Sequence, residues 1–180
     1  MRASKNIQLN EPQVFGQFYE EAHLAVFRYI YALHGGPRQE IEDLTAETFV
    51  KAWKARRKFN GPKKAAISWV MLIARRLVID SYRRQRVRGY QLDIEEINYL
   101  SKEPLPEEQA TQKEQLTTLM NLLGTLSVEK REILILRYIL GWRVTEIGSH
   151  LNIQENTVSV QIKRTLMKLR QDWLASDLED

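Results

Sequence analysis

The feature that most constrains the fold is a stretch near the middle of the chain where helical periodicity stops. Residues 89–108 are acidic, contain Pro104 and Pro106, and repeat apolar residues at neither the helical nor the strand period. Such a composition favours an extended linker with little order of its own. The 180-residue chain is therefore predicted to form two small domains, each with a modest core.

Both flanking parts are predicted to be helical almost throughout, because apolar residues recur at spacings of three and four. Gly-Gly-Pro at 35–37 and Asn-Gly-Pro at 60–62 separate the helices of the first part, and Gly141 ends one helix of the second. The predicted helices cover 14–33, 39–57, 66–86, 107–124 (beginning at Glu107 or Thr111), 127–140, 144–151 (beginning at Val144 or Thr145) and 156–173 (beginning at Asn156 or Thr157). The predicted fold class is all-α, with domains at 1–90 and 111–180 joined by an extended acidic linker at 91–110.

Charge is distributed unevenly along the chain. Residues 1–90 contain 17 basic and 8 acidic side chains, residues 91–126 contain 2 and 7, and residues 127–180 contain 8 of each. A strongly basic first domain indicates a polyanionic partner, most often nucleic acid. The alternative is a solvated basic surface without a specific partner.

The composition excludes several kinds of chemistry. The chain has no cysteine, and His23, His34 and His150 show no metal-ligand spacing. No glycine-rich phosphate loop or Ser/His/Asp arrangement stands out. We therefore predict no catalytic site, cofactor or metal; a nuclease built on scattered acidic residues is the weakest alternative, because the carboxylates do not cluster. A polar N-terminus and the lack of a long apolar window predict a cytoplasmic protein without membrane insertion.

Residues 145–166 (TEIGSHLNIQENTVSVQIKRTL) meet the physical demands of a helix-turn-helix. Gly148 permits a close helix crossing, and Asn152 tolerates the left-handed conformation that the turn requires. Asn156 or Thr157 is the predicted N-cap of the second helix. A plain helical hairpin with a charged outer face is the alternative.

The second helix of this motif is predicted to bury one stripe and to expose a polar face. The buried stripe is Val158, Ile162, Thr165, Leu166 and Leu169. At 100° per residue the opposite face carries groups suited to base edges and phosphates. These predicted DNA-binding residues are Asn156, Ser159, Val160, Lys163 and Arg164.

The chain resembles bacterial RNA polymerase sigma factors at two places. Residues 126–169, with EKREILILRYILGW followed by TEIGSHLNIQENTV, look like the promoter-binding C-terminal domain. Residues 41–59 (IEDLTAETFVKAWKARRKF) and 67–84 (ISWVMLIARRLVIDSYRR) look like the helices of the other sigma domain. Because no further helical domain lies between them, the chain resembles the extracytoplasmic-function group.

The resemblance implies a non-enzymatic initiation factor that binds core RNA polymerase and promoter DNA. Helix 41–53 would bind the polymerase clamp helices through Glu42, Asp43, Leu44, Glu47 and Phe49. An acidic face within a basic domain also suits a protein partner better than DNA. The family usually has glutamine where this chain has Ala46.

Helix 66–86 and the preceding loop would recognise and open the −10 element. The residues implied are Phe59, Asn60, Lys63, Arg75, Arg76, Arg83 and Arg84, with the loop taking up a flipped base. Arg76 stands where many relatives have asparagine. Trp69 is interpreted as a core residue rather than a stacking residue, and Asp80 as an internal salt-bridge partner.

The resemblance further implies that the recognition helix reads the −35 element, that an anti-sigma factor holds the protein inactive, and that the free protein is a monomer. The acidic linker would thread through the polymerase; a simple flexible tether is the alternative. The alternative function is a polymerase-independent helix-turn-helix regulator with an N-terminal interaction module, which predicts dimers and a palindromic operator.

Overall fold

The computed structural model describes residues 6–84 and 110–176, and in them the chain is helical apart from short connections and one two-residue ladder. The predicted all-α class is confirmed. The predicted linker lies outside the described residues except for Ala110. The elements in chain order are β1 Asn6–Ile7, α1 Pro12–His34, α2 Arg38–Ala55, a 3₁₀ turn Arg56–Lys58, β2 Gly61–Pro62, α3 Lys63–Arg84, α4 Ala110–Gly124, α5 Val128–Leu134, a π-helical turn Ile135–Ile139, α6 Val144–Leu151 and α7 Glu155–Ser176.

The described residues divide into two compact units. The first contains residues 6–30 and 38–84, and the second contains residues 31–37 and 110–176. The first unit holds most of α1 together with α2, α3 and the β1–β2 ladder. The second holds α4 to α7 and the last residues of α1.

The first unit is a three-helix core in which each helix buries one stripe. α2 packs along α3, as their apolar spacing predicts. Two threonines on the buried stripe of α2 satisfy their own hydroxyls: Thr45 donates to the Ile41 carbonyl and Thr48 to the Leu44 carbonyl, each at 2.7 Å. The core side chains are Leu9, Phe15, Phe18, Ala22, Val26, Tyr29, Ile30, Ile41, Leu44, Phe49, Ala52, Ala66, Val70, Met71, Ala74, Leu77 and Val78.

The predicted helix 39–57 stops two residues early and tightens into the 3₁₀ turn. Arg56 lies with its guanidinium carbon 3.4 Å from the centre of the Trp53 ring, and its Nη1 donates to the Trp53 carbonyl at 2.7 Å. One of the last carbonyls of α2 is thereby satisfied by a side chain rather than by another helical turn. The stacked arginine explains why the helix ends where the apolar pattern alone does not require it.

The predicted helix 127–140 is likewise divided. α5 ends at Leu134 and continues as a π-helical turn, in which the Leu140 N–H donates to the Ile135 carbonyl at 3.1 Å. Gly141 then takes φ 69°, which ends the helix as predicted. A π-helical turn is defined by hydrogen bonds between residues five apart, and the spacing of apolar residues does not reveal them. The division of this helix therefore could not be predicted from the sequence pattern.

The core of the second unit joins the helix-turn-helix to α4. Met120, Leu123, Leu126, Leu134 and Leu169 form one buried cluster, against which Leu119, Leu122 and Ile162 pack. Because the cluster takes side chains from α4, α5 and α7, burial of its apolar surface fixes α7 against the rest of the unit.

A buried arginine completes the C-terminal end of α4. Arg131 is only 4% exposed, and its guanidinium donates to the carbonyls of Leu123, Gly124 and Leu126 at 2.9, 3.1 and 3.1 Å. These carbonyls lie at or just beyond the helix end, where no intrahelical donor remains. A planar, permanently charged fork can serve several of them at once.

Replacing Arg131 with methionine should therefore destabilise the protein by roughly 3 kcal/mol, since buried carbonyls would lose charged donors. The measurement is urea-induced unfolding followed by circular dichroism. Lys130→Met is the control, because Lys130 is the exposed neighbour on the same helix. Equal stability of the two variants would show that the guanidinium contacts contribute nothing.

Candidate functional site

The helix-turn-helix has the turn geometry that the sequence predicts. Asn152 lies in the left-handed region at φ 56° and ψ 46°, and both its N–H and that of Ile153 donate to the Gly148 carbonyl. A Cβ on Gly148 would lie 2.8 Å from the Ile153 carbonyl oxygen, closer than real Cβ contacts allow. The crossing of α6 and α7 therefore depends on glycine at this position.

α6 begins at Val144, as predicted, whereas α7 begins earlier than predicted. α7 starts at Glu155, so Asn156 and Thr157 lie inside the helix and neither is its N-cap, contrary to the prediction. At the start of α6, the Glu146 carboxylate accepts the Arg143 N–H at 2.8 Å, which satisfies one donor of the first turn.

The exposed face of α7 carries all five residues predicted for the −35 contact. Asn156, Ser159, Val160, Lys163 and Arg164 are exposed. Their contacts with DNA remain a prediction.

Burial on the opposite side of α7 follows the prediction except at one position. Val158, Thr165 and Leu169 are buried and Ile162 is half-buried, but Leu166 is 39% exposed. Leu166 lies about 80° around the helix from Val158, at the edge of the stripe, which explains why its assignment to the core was wrong.

In the first unit, α2 presents an acidic exposed face. Glu42, Asp43 and Glu47 are exposed, and two of them pair within the helix: Arg38 Nε lies 2.7 Å from the Glu42 carboxylate and Lys51 Nζ lies 3.0 Å from that of Glu47. The other two residues predicted for polymerase binding, Leu44 and Phe49, are buried at 5% exposure. They pack into the core and hold the helix in place.

Sequence reasoning missed one member of this face. Val50 is 50% exposed and lies one turn beyond Glu47 and two turns beyond Asp43, on the same side as Ala46. The sequence pattern does mark Val50 as exposed, because a valine out of phase with the buried stripe of an amphipathic helix is expected to face solvent. The face is therefore acidic and includes a small apolar patch formed by Ala46 and Val50.

The loop before α3 is held by packing around an aromatic ring. The ring centres of Phe59 and Trp69 lie 5.1 Å apart, and a Cβ on Gly61 would come within 3.1 Å of the Phe59 ring. Trp69 is half-buried, which is intermediate between a core residue and a residue exposed for stacking. Asn60 is exposed. Lys63 is exposed and pairs with Glu21 of α1 at 2.5 Å.

α3 carries the predicted arginines along its outer side. Arg76, Arg83 and Arg84 are exposed and Arg75 is half-buried. Asp80 is a salt-bridge partner, as predicted, since its carboxylate lies 3.8 Å from Arg83 Nη1, but the pair lies at the surface rather than in the interior: the Asp80 side chain is 56% exposed. The apolar residues near Asp80 in sequence point to the other side of the helix, so the carboxylate meets solvent.

Other kinds of site are not found in the part of the chain that the structure describes. Within residues 6–84 and 110–176, no histidine and acidic side chains group so as to hold a metal ion. In the same ranges no helix combines the length and apolar character needed to cross a membrane.

Comparison with known families identifies both units. Sigma-70 region 2 matches residues 18–88, and Sigma-70 region 4 matches residues 116–169. The first match contains α2, the loop and α3, and the second contains the helix-turn-helix. The chain belongs to the sigma-70 family of RNA polymerase sigma factors.

Similar curated proteins narrow the family to the extracytoplasmic-function (ECF) group. The chain is 29% identical to ECF RNA polymerase sigma factor BldN of Streptomyces coelicolor, covering 96% of this chain and 66% of BldN. It is 26% identical to ECF sigma factor SigX of Bacillus subtilis, covering 88% and 82%. It is 28% identical to sigma factor CnrH of Cupriavidus metallidurans, covering 87% and 85%. The predicted group is thus confirmed.

Solved structures share the fold. The sigma factor RpoE of Bartonella quintana, in complex with the anti-sigma factor NepR, superposes with a TM-score of 0.65 at 20% identity, covering 88% of this chain and 96% of that one. CnrH in complex with the cytosolic domain of CnrY gives a TM-score of 0.67 at 22% identity, covering 93% and 91%. At these identities the similarity concerns the fold.

The Gly148 contact leads to a stability prediction. Gly148→Ala should destabilise the protein by about 1–3 kcal/mol, because the methyl group would press on the Ile153 carbonyl. Gly16→Ala is the matched control, since a Cβ at that helical position meets no atom within 4 Å and should be neutral or stabilising by up to about 1 kcal/mol. Thermal unfolding measures both, and a Gly148→Ala protein as stable as the control would contradict the proposed packing.

Proposed function

We propose that this chain is an alternative sigma factor that binds core RNA polymerase, directs it to particular promoters and helps to melt their −10 region. The observation that carries the proposal is the presence of both region 2 and region 4 in one chain. A polymerase-independent regulator would need only the helix-turn-helix and a sensor or dimerisation module. Sigma factors are generally not enzymes, and we assign no catalytic residue.

Core polymerase binds the acidic face of α2 in this proposal. Glu42, Asp43 and Glu47 supply negative charge to a basic partner surface, and Val50, one turn beyond Glu47, supplies an apolar contact beside them. The pairs that Glu42 and Glu47 make with Arg38 and Lys51 are exposed and cost little to exchange for contacts with a partner. Leu44 and Phe49 act indirectly, by fixing the helix on the core.

The −10 element is recognised by the loop and α3. Phe59 and Asn60 receive a base flipped out of the duplex, which costs a few kcal/mol and is offset by stacking and pocket contacts. The exposed guanidinium groups of Arg76, Arg83 and Arg84 bind phosphates beside the opened strand. Lys63 exchanges its pairing with Glu21 for a phosphate, and Arg75 supports the same surface from its half-buried position.

The −35 element is read by α7 in the major groove. Asn156 and Ser159 hydrogen-bond to base edges, Val160 contacts a thymine methyl group, and Lys163 and Arg164 bind phosphates. The support for these roles is the exposure of all five on the face opposite the buried stripe.

An anti-sigma factor is the third partner in this proposal. RpoE and CnrH, which share this fold, are both seen bound to partner proteins, NepR and CnrY. Free of its partners the chain is proposed to be a monomer, and residues 91–110 to connect the two regions within the polymerase. The protein is proposed to act in the cytoplasm, where its polymerase partner works.

Polymerase binding tests the proposal directly. Mixed with core polymerase that lacks any sigma factor, the protein should co-elute in size-exclusion chromatography, and Glu47→Arg should reduce that binding at least about tenfold through like-charge repulsion. Glu20→Arg is the matched control, because it makes the same charge change at an exposed glutamate of α1. Failure of the unmodified protein to co-elute, with operator binding as a dimer, would favour the polymerase-independent regulator.

Promoter binding separates the roles on α7. The measurement is binding of the holoenzyme to promoters selected from genomic DNA. Lys163→Ala should weaken binding to all promoter sequences alike, and the salt dependence of the binding constant should fall by the equivalent of about one released ion. Asn156→Ala should instead relax selectivity at one base pair, costing about 1–3 kcal/mol there. Lys168→Ala is the control, since this exposed lysine lies about 140° around α7 from Lys163; an equal loss there would refute the assigned face.

A further inference from the structure

A short strand near the N-terminus pairs with the loop proposed to receive the flipped base. β1 runs antiparallel to β2, with Asn6 opposite Pro62 and Ile7 opposite Gly61. Gly61 and Pro62 directly follow Phe59 and Asn60. Pro62 has no backbone N–H to donate to the ladder. The ladder therefore depends on the remaining backbone N–H groups, and the Ile7 N–H is one of them.

The strand is anchored to the first unit. Leu9 is 0% exposed, and the following turn is closed by the Glu11 N–H, which donates to the Gln8 carbonyl at 3.2 Å. The Phe15 N–H then donates to the Glu11 carbonyl at 3.0 Å, at the start of α1. β1 also contacts α3. A strand fixed at its own end can hold the loop that pairs with it.

The loop is held on its other sides by side chains. The Phe59 ring lies over Gly61 and against Trp69 of α3, and Lys63 is paired with Glu21 of α1. These contacts orient Phe59 and the end of the loop, whereas β1 supplies the backbone contact along Gly61 and Pro62. The strand therefore completes the support of the loop from a part of the chain that precedes the region 2 match at residues 18–88.

A site for a flipped base needs such support. Extruding a base costs a few kcal/mol, and the cost is recovered only if the receiving groups are already in position. A displacement of about 1 Å can cost about a hundredfold in a process that depends on precise placement. A shift of Gly61 would change the surface against which the Phe59 ring packs, since even a Cβ at this position would lie only 3.1 Å from that ring.

We propose that Asn6–Leu9 is a positioning segment for the −10 loop, which holds Gly61 and Pro62 by backbone pairing so that Phe59 and Asn60 are placed to receive the base. This inference rests on the proposed sigma-factor function. It assigns to β1 no contact with DNA or with polymerase. Loss of the pairing should therefore affect promoter opening and leave polymerase binding intact.

The test compares Ile7→Pro, which removes the Ile7 N–H, with Ile7→Val, which keeps both the N–H and the β-branched side chain. Holoenzymes are assembled on a promoter that the unmodified protein selects from genomic DNA, and unpaired thymines are measured by permanganate reactivity. We expect Ile7→Pro to reduce opening at least about tenfold, with base preference in the −10 element weakened and core polymerase binding within about twofold of normal. Ile7→Val should behave as the unmodified protein.

Several outcomes would overturn the inference. Normal opening and base preference by Ile7→Pro would do so, as would an equal loss of polymerase binding. A second variant lacking residues 1–8 keeps the buried Leu9 and removes the ladder, and it should reproduce the defect while unfolding cooperatively. If both variants lose cooperative unfolding, β1 is a folding element of the domain and the positioning role is refuted. If the unmodified holoenzyme itself fails to open any promoter, the proposed function fails instead.

Discussion

The contact between Gly148 and the Ile153 carbonyl sets the geometry on which the second unit depends. With no side chain between them, α6 and α7 approach closely, and Asn152 in the left-handed conformation turns the chain between them. The direction of α7 follows from this approach, and the buried cluster around Leu169 holds it. Backbone sterics and core packing thus determine which face of α7 is exposed. The polar side chains on that face do not set the orientation of the helix.

In the first unit, two different surfaces are built on the same core. α2 exposes carboxylates and one valine, while α3 exposes arginines and the loop before it carries a half-buried aromatic ring. Surfaces of opposite charge on one small domain suit partners of opposite charge. A protein partner and a nucleic acid can then be bound by one rigid body without competing for the same side chains.

Much of this arrangement could be predicted from sequence because it depends on local rules. Helical periodicity predicts the helices to within a few residues, and Gly148 and Asn152 mark the turn of the helix-turn-helix in the sequence itself. The exposed face of α7 followed from 100° per residue alone. Recognition of the family came from motifs on both sides of the linker, and neither motif alone was equally specific.

What could not be predicted depends on contacts between residues distant in sequence or on non-standard hydrogen bonding. Nothing local marks Asn6 and Ile7 as the pairing partners of Gly61 and Pro62, since a two-residue strand has no readable period. The π-helical turn after Leu134 and the burial of Arg131 both depend on which donors the backbone carbonyls near a helix end find. Asp80 was misplaced because apolar neighbours in sequence were taken as neighbours in space.

The contact between Phe59 and Trp69 has a practical consequence for optical measurements. An indole beside the loop reports on local polarity and ring contacts, so its emission should respond when the phenyl ring moves or a base stacks against it. Trp142 lies far along the chain, with its ring centre 5.0 Å from that of His150, so that a second indole monitors the helix-turn-helix. Variants that keep only one of these two tryptophans, with Trp53 and Trp173 also replaced, would give each surface its own intrinsic fluorophore. The order of events at the two promoter elements could then be followed without attached dyes.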